Sequence, residues 1–193
     1  EEIELIAART EGWAAGLRLA AFRLNNSPTA GSEMIHGHYR EYQAYFEEEV
    51  LRGLSTDTRA FVLQTSILNP IIPEVAQTIT QMASAPVVLR QLERTHCFVT
   101  PLDSHPSILQ YHPLFAEALR TLLEDEQPEQ VRELQQRAAE AYAARRELRP
   151  AINHALQAQD FDRAVQWIKK SAKVLLIEGE LKLLRHWLER LPL

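Results

Sequence analysis

One junction in this sequence places a residue that can bind an anion at a predicted helix start. His112 stands directly before Pro113, between a strand-like run and a helix-like run. Proline favours the first position of a helix, which makes His112 the predicted N-cap, and a residue before proline is held extended. The backbone N–H groups of Leu114 and Phe115 would then attract an anion together with the helix dipole. The imidazole could add a donor, or in the alternative interpretation His112 packs against Tyr111 or caps a backbone group.

The other histidines and the single cysteine form weaker chemical patterns. His36 and His38 are the only close histidine pair, and two histidines in a linker are rarely enough to hold a metal. His96 and Cys97 are adjacent like a nucleophile and its base, but neighbours on a strand point to opposite faces. The sequence contains no HExxH, CxxC or GxxxxGK[ST] motif. We therefore expect no catalytic residues, no metal ligands and no enzyme activity in this chain.

Composition bounds the class of protein. The 193 residues are 46% hydrophobic and 24% charged, enough for a normal core, and the net charge of −5 does not favour a phosphate backbone as partner. One cysteine excludes an intrachain disulfide and fits a reducing, cytoplasmic compartment. No apolar run reaches the roughly 20 residues of a membrane span, so no membrane partner is expected. The missing initiator methionine and the ending LERLPL indicate a piece of a longer protein.

The fold is predicted to be mostly α, with one small β-hairpin. Turn residues mark a linker at 25–32, and the predicted helices before the hairpin are 1–24, Tyr39–Gly53, a helix opened by Ser55 that runs to Leu68, and two short helices begun by Pro73 and Pro86. Phe98–Leu102 and Ile108–Tyr111 are predicted strands around the turn DSHPS. Three helices followed by a hairpin are typical of a winged helix. Val87, Val88, Leu89 and Leu92 are its expected core residues on the last helix.

From Pro113 onward every segment is predicted to be helical. Short helices alternate with turn-forming stretches, and RPAINHAL, FDRAVQWI and LKLLRHWL each need a neighbour to cover an apolar side. This pattern is typical of an α-solenoid. Trp167 and Trp187, if exposed, would be the anchors of a groove that binds a protein or peptide.

A winged helix raises the possibility of DNA binding. The helix APVVLRQLERTH would be the recognition helix, with Arg90, Gln91 and Arg94 as its contacts. However, five arginines face nine carboxylates between Phe46 and Glu124, a net charge of −4, and the wing contains no lysine or arginine. DNA-binding faces are usually basic. We therefore expect no direct DNA contact by this chain.

Four segments, taken together and in this order, resemble one family. RTEGWAAGLRLAA, YREYQAYFEEEVLRGLSTDTRAFVLQTSIL, LRQLERTHCFVTPLD and YHPLFAEALR are similar to the MalT-like regulators, which are LuxR-type transcription activators of the signal-transduction ATPase (STAND) class. RRELRPAINHALQAQDFDRAVQWI resembles the start of their tetratricopeptide-like (TPR-like) region. The resemblance implies that 1–30 is the end of a helical lid, 31–125 a winged-helix domain and 126–193 the start of the TPR-like region.

The resemblance also implies a switch. It places an ATP- or ADP-binding domain before this chain, further solenoid and a DNA-binding helix-turn-helix after it, and an inducer that is a small molecule or a protein. No cofactor is expected within the chain itself. His112 would contact the β-phosphate of ADP. GWAAGLRLA resembles a lid motif that packs near adenine, which implies a nucleotide-sensing role for Trp13, Gly16 and Leu17, although Arg18 stands where related ATPases have proline.

Two functions follow as expectations. The first is a non-catalytic segment that couples nucleotide state to effector binding and oligomerisation in signal transduction. The alternative is a helical interaction scaffold without a nucleotide role, in which Trp13 and Leu17 are plain helix core.

Overall fold

The computed structural model describes residues 43–95, 98–102 and 105–192. Trp13, Gly16, Leu17 and the predicted lid lie outside these residues, as do His36, His38, His96 and Cys97. Residues 43–45 are helical and continue into a π-helical turn, Phe46–Val50, and a 3₁₀ turn, Leu51–Gly53. The elements that follow are α1 (Thr56–Thr65), α2 (Pro73–Thr80), α3 (Ala85–Arg94), β1 (Val99–Leu102), β2 (His105–Tyr111), α4 (Pro113–Glu126), α5 (Pro128–Ala144), α6 (Leu148–Gln157), α7 (Phe161–Ile177) and α8 (Leu181–Glu189). The mostly helical class with a small hairpin is confirmed.

Local sequence signals set the helix starts. The Ser55 hydroxyl accepts a hydrogen bond from the Thr58 N–H at 3.2 Å and caps α1, while Pro73 and Pro86 lie in the first turns of α2 and α3. The prediction that α1 runs to Leu68 was wrong, because α1 ends at Thr65. At this end of the helix, carbonyls accept hydrogen bonds from the N–H groups three residues further along the chain, which tightens the last turn. Pro70 follows shortly afterwards and cannot continue a helix.

The hairpin is longer than its sequence pattern predicted. β1 and β2 pair antiparallel from Val99 opposite Tyr111 to Leu102 opposite His105, with a register shift at Pro101 and Leu102. The shift lets His105 join the ladder, so part of the predicted turn DSHPS is strand. Ile71 pairs with Leu109 on β2 through two backbone hydrogen bonds of 2.7 and 3.1 Å. β2 is therefore held on both edges just before His112.

One hydrophobic core joins α1, α2, α3, the hairpin, α4 and one face of α5. On α3, Ala85, Leu89 and Leu92 recur at helical spacing and are buried. Val88 is partly buried, but Val87 is 55% exposed. The prediction of Val87 as a core residue was therefore wrong, since it lies on the face opposite Leu89.

Three successive helices end in the same way. Arg146, Gln159 and Gly179 have φ values of 63°, 58° and 78° and are the second residues after the ends of α5, α6 and α7. In each case the next N–H reaches back five residues to a carbonyl, as in Glu147 to Tyr142 at 3.0 Å. This Schellman ending satisfies the last carbonyls of a helix and reverses the chain. The prediction that every segment from Pro113 onward is helical is confirmed to the end of α8, although α5 and α7 are longer than expected, with 17 residues each.

A second hydrophobic cluster lies among α5, α6, α7 and α8. Trp187 is fully buried in it, and its Nε1–H donates to Asn153 Oδ1 at 2.7 Å. Trp167 is partly buried and packs against both clusters. Trp187 is therefore internal and does not meet the condition of exposure that an anchor requires, while Trp167 is only partly buried.

Candidate functional site

His112 is held by the backbone on both sides. Its N–H donates to the Phe98 carbonyl at 2.8 Å, which closes the hairpin, and its carbonyl accepts from the Ala116 N–H at 2.9 Å in the first turn of α4. With φ −53° and ψ 134°, its backbone is extended, as expected before proline. His112 is therefore the N-cap of α4 that the sequence predicted.

The imidazole itself makes the cap. Leu114 N–H donates to His112 Nδ1 at 3.3 Å, so the prediction of a free Leu114 N–H was wrong. His112 caps this backbone group, while its contact with an anion stays a prediction. The extended backbone before Pro113 brings the ring near the first N–H of the helix, and the contact with the Phe98 ring supports this orientation. An accepting Nδ1 carries no proton, so the neutral ring carries its proton on Nε2. That N–H is the hydrogen-bond donor of the neutral ring.

An aromatic cluster supports this ring. The Phe98 ring meets His112 edge to face, with centroids 6.4 Å apart, and also packs against Phe46 and Phe115. Phe98 holds this place with a φ of 53°, in the left-handed region. Tyr111 packs against Phe115 at 5.7 Å rather than against His112. The half-buried His112 thus lies on packed aromatic rings that reach back to the π-helical turn.

The nucleotide-sensing roles predicted from the resemblance stay predictions. Trp13, Gly16 and Leu17 are outside the described residues, so their roles stay predictions. Within 43–95, 98–102 and 105–192, no group of three histidine, cysteine or carboxylate residues is arranged to hold a metal ion. In the same ranges, no helix is long and apolar enough to cross a membrane.

The face that a DNA reader would use is sparsely charged. Arg90, Gln91 and Arg94 are exposed on α3, as that hypothesis requires. The hairpin beside them carries no lysine or arginine among its described residues. Two arginines on one helix are a small electrostatic footprint for binding a duplex.

A buried polar group lies where the two hydrophobic clusters meet. His154 Nδ1 and Gln135 Oε1 are 2.6 Å apart, and the His154 ring stacks on Tyr142 at 5.4 Å. Burial lowers the pKa of His154 to about 4, so its ring is neutral near pH 7. Burial likewise raises the pKa of Tyr142 to about 12. No motif signals this group, because its members are close only after α5 and α6 pack.

The comparisons with known proteins agree with this architecture. Residues 47–131 match the family model described as the MalT winged helix domain. The HTH-type transcriptional regulator MalT of Vibrio parahaemolyticus is 28% identical over 188 residues, which are 94% of this chain and 20% of that protein. MalT of Yersinia enterocolitica is 31% identical over 186 residues, 94% of this chain and 21% of that protein.

A relative with a different name shares the same segment. The serine/threonine-protein kinase PknK of Mycobacterium tuberculosis is 27% identical over 193 residues, 99% of this chain and 17% of the kinase. The chain thus spans about a fifth of the length of the curated relatives it matches. These matches confirm the resemblance drawn from the sequence: residues 47–131 match the MalT winged helix domain, and the chain is similar to MalT regulators over 94% of its length.

Proposed function

We propose that the chain is a regulatory, non-catalytic segment of a MalT-like, ATP-dependent transcription activator. The relatives named as transcriptional regulators support a regulatory role. The kinase that shares the segment fits the same proposal, because a regulatory module can be joined to different output domains. The low positive charge of the winged helix supports an internal role for it, with DNA binding left to another part of the whole protein.

In this proposal His112 senses the bound nucleotide. Its Nε2–H would donate to a β-phosphate oxygen of ADP, and the positive end of the α4 dipole would favour the same anion. The hydrogen bond from Leu114 and the contact with the Phe98 ring restrict the orientation of the imidazole. A donor that is held in one orientation loses less entropy when it binds a phosphate oxygen. The single imidazole N–H of His112 would make one hydrogen bond to one phosphate oxygen. The remainder of the nucleotide site would come from a preceding domain with a phosphate loop, so this chain alone should not retain ADP.

The observation that carries the proposal is the packing that connects His112 to the helical region. The buried face of α4, which His112 caps, belongs to the winged-helix core, and α5 contributes Ala138 to that core and Ala139 to the second cluster. Arg137 on α5 also donates to the Ile79 carbonyl of α2 at 2.9 Å. A shift at the start of α4 would therefore move helices that both clusters share. Allosteric couplings of this kind are typically 1–3 kcal/mol.

The remaining parts of the proposal follow from the family. The partners would be an upstream nucleotide-binding domain and downstream solenoid in the same protein, with a small-molecule or protein inducer acting on the solenoid. Inducer binding would loosen the closed arrangement and permit nucleotide exchange and oligomerisation. A cytoplasmic location fits the single cysteine.

The test is ADP retention by the full-length protein with His112→Ala and His112→Asn. Asparagine is a good N-cap, so it keeps the acceptor for the Leu114 N–H and removes only the imidazole. We expect both variants to release ADP faster than wild type and to raise basal transcription. His105→Ala, at an exposed histidine on β2, should behave as wild type. Wild-type ADP retention by His112→Asn would reduce His112 to a helix cap and refute the sensing role.

The interaction scaffold without a nucleotide role keeps one supporting observation. Several large apolar side chains of α7 and α8 are exposed: Val174, Leu176, Ile177, Leu181 and Leu188. A scaffold would use such a surface for a partner whose binding is independent of ADP. Equal partner binding in wild type and His112→Ala, with and without ADP, would favour the scaffold over the switch.

A further inference from the structure

A groove lies where the winged-helix domain meets the helical region. Its volume is about 410 Å³, and it is lined by residues of α4, α5 and α6, by Ile67 after α1 and by Arg190 after α8. Ligand pockets are typically 300–1,000 Å³, so the groove has the size of a small-molecule site. Its position means that an occupant would contact both parts of the chain at once.

Two unpaired cationic side chains line this groove. Arg120 comes from α4 and Arg190 from the end of α8, and no carboxylate among the described residues lies within ion-pair distance of either. Other arginines of the helical region do have such partners: Arg149 pairs with Glu178 at 2.8 Å and Arg163 pairs with Glu140. Glu124 is the one carboxylate in the lining, against two arginines. The lining thus carries two cationic side chains and one carboxylate, in a chain whose net charge is −5.

The remainder of the lining suits an organic molecule. Leu123, Val131 and Leu156 supply apolar surface, and Gln135 supplies an amide. The Gln135 oxygen is already engaged by His154, at 2.6 Å, while its Nε2 has no partner among the described residues. Because the described residues contain no fully buried side-chain nitrogen or oxygen without a partner, that Nε2 is at least partly accessible, and Gln135 is one of the residues that line the groove. It is a fixed donor, since packing and the His154 contact hold the side chain.

We propose that this groove binds a small organic anion, with its phosphate or carboxylate group on the Arg120 and Arg190 guanidinium groups. Guanidinium groups bind both anions through paired, charge-assisted hydrogen bonds. Gln135 Nε2 donates to a further oxygen of the ligand, and the leucine and valine side chains contact its carbon skeleton. The concave shape and limited volume select a metabolite-sized ligand over a macromolecule.

That anion binding in this groove regulates the protein rests on the proposed function. The binding of the anion itself does not depend on that function. An anion that joins α4 to the end of α8 favours one arrangement of the winged helix relative to the helical array. It stabilises that arrangement only to the extent that it binds it better than the alternatives. The site is separate from His112, which lies at the opposite end of α4 from Glu124.

Calorimetric titration of the 193-residue chain tests the site, because the sequence contains no phosphate loop that would bind the same probes. The probes are inorganic phosphate, glucose 6-phosphate and citrate, titrated at constant ionic strength. Stronger binding of glucose 6-phosphate than of inorganic phosphate identifies a phosphorylated ligand, and preference for citrate identifies a carboxylate. We expect Arg120→Gln/Arg190→Gln to weaken binding by about ten-fold or more, since both guanidinium groups lose their charge-assisted hydrogen bonds to the anion.

The matched control is Arg90→Gln/Arg94→Gln, which removes two exposed charges from α3. It should bind the probes as wild type does, and circular dichroism should show the same helix content in all variants. Equal losses in the two double variants would mean a non-specific charge effect and would overturn the site. Unchanged binding by Arg120→Gln/Arg190→Gln, or no saturable binding of any probe, would overturn it as well. ADP retention in the full-length protein is scored separately, so failure of the switch and failure of this site are distinguishable.

Discussion

The hydroxyl groups of Thr65 and Tyr111 lie 2.7 Å apart in the buried core and join α1 to the end of β2. Thr65 donates its own proton to the Phe61 carbonyl at 2.8 Å, so the Tyr111 hydroxyl is the donor of the pair. Tyr111 immediately precedes His112. The hydrogen bond therefore fixes the strand end from which the cap of α4 begins.

Tyr111→Phe should lower the free energy of unfolding by about 1 kcal/mol, because it removes this donor and leaves the packing of the ring in place. Urea denaturation of the 193-residue chain measures the loss. A double-mutant cycle with Thr65→Val, which keeps the shape of the side chain, isolates the pair and should give a coupling near 1 kcal/mol. Strictly additive effects would show that the two hydroxyls do not interact.

The cap of α4 should contribute measurably to stability. His112→Ala removes the acceptor for the Leu114 N–H and should cost about 1 kcal/mol, while His112→Asn should restore most of it. Denaturant midpoints of the two variants provide the measurement. A loss in His112→Asn as large as in His112→Ala would mean that the ring contact with Phe98, and not the cap, is what stabilises the junction.

Stability should fall as the pH drops from 7 to 5 because of His154. Burial lowers the pKa of His154 to about 4 in the folded state from 6.5, so the unfolded chain binds the proton first as the pH falls. The stabilisation is fully present above pH 6.5 and decreases toward pH 4, with a loss of about 2 kcal/mol between pH 7 and pH 5. His154→Gln should flatten this dependence. His186→Gln, at an exposed histidine, should leave it unchanged, and a wild-type slope in His154→Gln would contradict the assignment.

The chain should not bind duplex DNA in a salt-sensitive manner. Fluorescence anisotropy with a labelled duplex at about 50 and 200 mM salt should show no saturable binding, since a reader with several phosphate contacts loses affinity steeply over that range. Binding at low salt that Arg90→Gln/Arg94→Gln abolishes would instead establish α3 as a recognition helix.

Features fixed by short-range chemistry could be predicted from the sequence. Pro113 restricts the backbone of His112 whatever surrounds it, so the N-cap and the start of α4 follow from two adjacent residues. Ser55, Pro73 and Pro86 act in the same local way. The helical turns after Pro113 were also predictable, although only Gly179 among the three left-handed helix ends is a glycine.

Features that depend on packing between distant parts of the chain could not be predicted from the sequence. Val87 and Trp187 are both apolar residues in helical patterns, but the pattern does not show which neighbouring element covers each of them. In the folded chain Val87 is exposed and Trp187 is buried. The role of His112 Nδ1 depended on the ring orientation that Phe98 supports from the other side of the hairpin.

The sequence by itself thus determined the helical class, the hairpin and the N-cap at the start of α4, because capping, proline geometry and periodicity act over a few residues. The tertiary structure decided that the His112 imidazole accepts the Leu114 N–H and that Trp187 is internal. It also decided that Arg120 and Arg190 line one groove. Packing of α4, α5, α6 and α8 creates that proximity, and no local pattern encodes a contact between residues so far apart in the chain.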